Sequence, residues 1–173
     1  MPNEEKRETL VVSFILAGLL LRLLPHPWNV TPLTAIALFS GANLRGPKGA
    51  VILFGILALS DLILGLHAVI PFTWGAFFLI LLLARVMKGK FGFKRIFLGS
   101  LAGSTLFFLL SNLGVFLVTG LYPHTPEGFW RCYRMALPFF RNSLVGDWVY
   151  CLLIFGMFDL ALRRSAVKAM QNG

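Results

Sequence analysis

The chain has 173 residues, enough for one domain. Apolar residues make up 57% of it and charged residues 13%, against the roughly 25% charged residues of soluble domains. Charges this sparse cannot clothe a soluble globule, and the mean hydropathy of +0.79 agrees. Two cysteines exclude a disulfide scaffold, and the apolar content excludes disorder. The net charge of +9 sits in short basic clusters between apolar runs, which argues against nucleic acid as a partner. The composition predicts an all-α integral membrane protein with the lipid bilayer as its surroundings.

The apolar runs predict six transmembrane helices in a single membrane domain covering residues 1–173, with spans near 10–24, 30–44, 50–69, 72–86, 96–121 and 144–162. A helix needs about 20 residues to cross the hydrocarbon. The third, fifth and sixth runs meet that, while the others are short. Pro25, Pro27, Pro32, Pro47, Pro71 and Pro123 fall at or near the breaks, where proline costs least. The runs are long and do not alternate, so a helical bundle suits them better than a barrel. MPNEEKRETL mixes acids with bases and no small-residue cleavage site follows Leu24, so the first run is expected to be retained.

Lys and Arg set the orientation. With a cytoplasmic N-terminus, twelve of the sixteen basic residues lie inside and Arg22, Arg131, Arg134 and Arg141 outside. Positive-inside bias therefore predicts that both termini are cytoplasmic. The three histidines, His26, His67 and His124, then fall outside, together with a long outer loop over residues 122–143. Loops of that kind carry function more often than basic punctuation such as KGKFGFKR does.

Asp61 lies within the third run. An acid at that depth needs a partner, and it serves either as a pin between helices or as the floor of an outward cavity. Asp147 opens the sixth run, where it either caps a helix starting near Asn142 or lines the same cavity. Arg22, near a helix end, is expected to snorkel to the interface. Gly99 and Gly103 form a GxxxG that suits close helix packing, within the chain or against a partner. Nucleophile elbows and phosphate loops are missing from the sequence, so no residue is expected to be catalytic in ATP hydrolysis, and any energised activity needs another subunit.

The expected substrate site gathers the outer helix ends. It comprises His26, Trp28 and Asn29 in the PHPWN turn, Asp61, His67, Trp74 and Asn112, and then Tyr133, Arg141, Asn142 and Asp147. An aromatic wall with a few convergent polar groups is what a small-molecule site needs. No motif marks an intrinsic cofactor or a dedicated metal site. His26, His67 and Cys132 remain the side chains able to ligate a metal carried by a substrate.

The order LLPHPWNVTPLTAIALFSGA, LSDLILGLH with PFTWGAF, SNLGVF and CYRMALPFFRNSLVGD resembles a family of small, uncharacterised six-span bacterial membrane proteins. That family is similar to the S-components of energy-coupling-factor transporters, above all the solitary cobalamin-transporting type. The resemblance implies a multi-pass protein of the bacterial cytoplasmic membrane with an outward pocket for a vitamin, cobalamin first. It also implies a transmembrane coupling subunit and ATPases as partners. His26 and Asp61 match the His and Asp pattern of those proteins. The cysteine they place near the pocket mouth has no counterpart after Asp61, where Thr73 and Trp74 stand. Two other classes stay open: a membrane enzyme acting on a lipid or isoprenoid through Asp61, His67 and Asp147, and an assembly factor.

Overall fold

The computed structural model describes residues 4–23, 30–87 and 92–171. Among them it has six α-helices: α1 (Glu4–Leu23), α2 (Leu33–Asn43), α3 (Lys48–Leu64), α4 (Ile70–Val86), α5 (Phe93–Val118) and α6 (Pro126–Gln171).

Prolines set several of the starts. Pro32 and Pro47 stand immediately before α2 and α3, and Pro71 lies in the first turn of α4. At such positions the missing N–H costs nothing, because the first helical donors have no partner within the helix. The end of α3 is set by Gly65, whose φ of 105° is open to glycine and strained for other residues. Its N–H still bonds the Asp61 carbonyl at 2.9 Å.

The centre of the bundle is α2. Every residue from Leu33 to Gly41 is buried, and the helix touches each of the other five. A helix that is apolar on all sides belongs inside. Phe39 anchors its second half, edge-on to Phe155 and Phe158 at 5.2 and 5.0 Å. Close approach to α4 depends on Gly41, since a Cβ there would lie 2.2 Å from the Leu81 carbonyl oxygen. The GxxxG of α5 is also used inside the chain: Gly103 faces Thr34 and Ile80, and Gly99 faces Met87.

Two helical stretches, Phe93–Val118 and Pro126–Ser165, are long and apolar enough to cross a membrane. By length alone α1 reaches about 30 Å, α3 and α4 about 26 Å, and α2 only about 16 Å.

Helix α6 begins far earlier than the apolar pattern predicts. Residues 126–143, expected in an outer loop, are the first turns of α6, and the true connection from α5 is short. The pattern explains why: Gly128, Cys132 and Ala136 recur every four residues and are buried. Arg131 and Arg134 lie exposed between them and Arg141 beyond them, which masks the helix from a test for continuous apolar runs. Pro138 is accommodated within the helix. Two smaller differences stand at helix ends. α1 begins at Glu4, with acids in its first turn as the helix dipole favours, and α3 stops at Leu64 rather than 69.

Gly41→Ala is expected to destabilise the chain by about 1–3 kcal/mol, because a backbone carbonyl cannot give way as a side chain does. Gly55→Ala, in open space within α3, is expected to hold or raise stability. Melting temperatures of the two variants test the contrast, and equal behaviour would remove the constraint assigned to Gly41.

Candidate functional site

One end of the bundle holds a polar cluster between apolar walls. Arg22, near the end of α1, donates to Asp61 Oδ1 of α3 at 2.6 Å. Its second terminal nitrogen donates to the Ser60 hydroxyl. Trp74, from the first turns of α4, completes the acid by donating from Nε1 to Asp61 Oδ2 at 2.8 Å. The pair is well sealed: the Arg22 side chain is 12% exposed and that of Asp61 5%. Three helices are therefore tied through one carboxylate.

A second acid lies nearby. Asp147 sits well inside α6, so it is no cap, and it is 4% exposed. Ser104 of α5 donates to its Oδ2 at 2.6 Å, and Thr34 of α2 turns its hydroxyl to the same carboxylate. Hydroxyls thus surround it where Asp61 has a cation.

The two acids line one cavity of about 140 Å³. Arg22, Thr34, His67, Thr73 and Ser143 add polar groups to its lining, while Leu33, Leu57, Phe77 and Phe107 supply apolar wall. His67 is exposed, which puts it toward solvent. A neighbouring cavity of about 220 Å³ lies between α5 and α6 and shares Phe107 and Ser143 with the first. Phe107 stacks on Phe77 with centroids 5.0 Å apart, so the partition is held in place.

The expected site is thereby divided. Asp61, His67 and Asp147 come together at one cavity, with Trp74 behind Asp61. Asn112 lines the neighbouring cavity instead; its side chain donates to the Phe108 carbonyl at 2.7 Å. Tyr133 spends its hydroxyl on the Leu109 carbonyl at 2.8 Å. Arg141 is exposed and Asn142 half-buried, and neither lines either cavity. Both belong to the stretch taken for a loop, and its helical register carries them away. His26, Trp28 and Asn29 lie outside the described residues. Cys132 is buried with its Sγ 3.5 Å from the Asn112 carbonyl, and among the described residues no group of three His, Cys, Asp or Glu is placed to hold a metal.

Arg22 was expected to snorkel and instead turns inward, because an acid one helix away offers a better partner than the interface. Ser60, Ser104 and Thr34 were missed altogether. Short hydroxyls inside apolar runs look the same whether they bond their own backbone or a carboxylate on another helix.

Removing one member of the buried pair leaves the other uncompensated. Arg22→Met is therefore expected to cost about 3–5 kcal/mol, and Arg22→Met with Asp61→Leu far less than the two single costs together. Thermal melts of the single and double variants measure the coupling, and additive losses would show that the two residues do not act as a pair.

No curated protein and no solved structure matches the chain. A family model does match over residues 2–170, nearly its whole length. The chain belongs to that family, described as a family of unknown function (DUF6580).

Proposed function

We propose that the chain is the substrate-binding transmembrane subunit of a micronutrient importer, with its ligand held in the cavity between Asp61 and Asp147. The observation that carries this reading is the placement of charge. Arg22, Asp61 and Asp147 converge inside, while Leu16, Leu20, Leu62, Ile63, Leu79, Leu101 and Leu153 stand exposed on the outside. An apolar exterior around a polar interior suits hydrocarbon surroundings, where buried polar groups must satisfy one another. The basic residues of the helix ends support both termini being cytoplasmic: at the end opposite the cavity Arg7 bonds Asn43, Lys48 bonds Glu8 and Arg85 bonds the Gly46 carbonyl. The cavity then opens outward.

The cavity also favours a class of ligand. At about 140 Å³ it suits a molecule of roughly benzene size, not a corrinoid. The one arginine of its lining is already paired with Asp61, so Asp147 is the acid left to meet a cationic group of a ligand. A small amine or similar cation, set against Asp147 with its apolar part on Phe77 and Phe107, answers both constraints. Energy for uptake comes from a coupling subunit and ATPases, since the sequence holds no phosphate-binding loop. The enzyme reading loses Asp61 as an acid–base group, because both of its oxygens are committed to Arg22 and Trp74, and keeps His67 and Asp147.

Mass spectrometry of ligand released from gently purified protein, followed by thermal shifts with a panel of small amines, tests the proposal. Saturation at a hundred times Kd is expected to add about 2.7 kcal/mol, a shift of several degrees, and Asp147→Asn is expected to abolish it. A panel without effect and no co-purifying molecule would sink the reading. For the topology, His124→Cys in a background lacking Cys132 and Cys151 is expected to react with an impermeant maleimide from outside. Reaction from the cytoplasmic side alone would reverse the orientation.

A further inference from the structure

The end of the bundle opposite Asp61 carries a second, basic cavity that the proposed importer role does not use. It measures about 450 Å³ and is walled by Arg7 of α1, Gly41 and Asn43 of α2, Arg45 and Gly46 of the following turn, and Arg85 of α4. Arg7 is held by a 2.9 Å bond to Asn43 Oδ1 and Arg85 by a 2.6 Å bond to the Gly46 carbonyl. Each guanidinium has five N–H donors, so these bonds orient the two side chains and leave further donors open. Arg45 is 91% exposed and its one ion pair, with Glu4 at 3.5 Å, is loose. Lys48 is matched by Glu8 at 2.7 Å. Three arginines against Glu4 leave the cavity positive, and among the described residues its lining holds no acid.

We infer that this cavity binds a phosphate-bearing anion, with an anionic phospholipid headgroup as its source. Arginine forks match phosphate oxygens in pairs, and two of the three forks are already fixed by the protein. The volume suits a headgroup, and the floor formed by Gly41 and Ala84 has no side chain beyond Cβ. Beside Arg85, Val86 is 76% exposed, and Leu79 stands exposed two turns back along the same face of α4. An acyl chain leaving the headgroup would lie along that face. Basic pockets between helices at the cytoplasmic side of a membrane are suited to this chemistry. The lipid source rests on the membrane reading above, whereas the recognition of phosphate by the three arginines does not.

Native mass spectrometry of the full chain, released from detergent with phosphatidylglycerol or phosphatidylcholine, tests it. Phosphatidylglycerol is expected to stay bound and phosphatidylcholine to leave. Arg45→Gln, which removes an exposed side chain and spares the fold, is expected to weaken retention about fivefold, and Arg7→Gln with Arg85→Gln about twenty-five-fold. Lys94→Gln with Arg164→Gln removes as much charge elsewhere and is expected to change nothing. Thermal shifts with inorganic phosphate separate the sources: stabilisation by phosphate that phosphatidylglycerol fails to reproduce upholds the anion site and assigns it to free phosphate. Equal retention of both lipids with no response to phosphate overturns the site, as does a loss in the Lys94 and Arg164 control as large as in the Arg7 and Arg85 variant. Neither result bears on ligand binding near Asp147.

Discussion

The short central helix decides most of what this bundle can do. α2 has eleven residues, and the helices around it have between seventeen and forty-six. A core element of about 16 Å among neighbours of 26 Å or more cannot fill the space between them from end to end. A hollow is left beyond each of its termini. Thr31, Leu33 and Thr34, at its start, line the cavity of the two acids. Gly41, Ala42 and Asn43, at its end, line the cavity of the arginines. Between them the helix is fully buried and held close to α4 by Gly41, so neither hollow can be closed by sliding the helix toward it.

Charge is then distributed according to what each hollow can satisfy. Near the start of α2 the cluster is closed: Asp61 receives Arg22 and Trp74, and Arg22 also reaches Ser60. A buried pair of this kind adds little net stability over an apolar replacement, yet losing one partner is severe. Its effect is on geometry. It fixes α1, α3 and α4 around one carboxylate and so fixes the wall of the cavity. At the other end the contacts are open and more exposed: Arg7 and Arg85 are oriented by amide and carbonyl oxygens, and Arg45 has only a loose pair with Glu4.

Much of this was legible in the sequence, and the failures have physical causes. The helical class followed from the length of the apolar runs, and the gathering of Asp61, His67 and Asp147 followed from the cost of burying an acid without partners. The partner of Asp61 was not legible, because Arg22 near a helix end reads equally well as an interfacial side chain. The first turns of α6 were not legible either. Their buried positions are Gly128, Cys132 and Ala136, small residues that raise hydropathy little, with arginines between them. Taking that stretch for a loop brought Arg141 and Asn142 into the expected site, and the helical register takes them out.

The two acids finally differ in what the protein supplies to them. Both are 4% exposed, and both meet donors from other helices. Asp61 meets a guanidinium and an indole N–H, so its charge is balanced within the chain. Asp147 meets hydroxyls, which stabilise a carboxylate by hydrogen bonding but cannot cancel its charge. A buried carboxylate without a cation is costly, and either a proton or a positive group from outside relieves it. The open space beside Asp147 is where such a group would sit. Asp61 therefore fixes the cavity wall, and Asp147 is the acid to which the described residues supply hydroxyls and no cation.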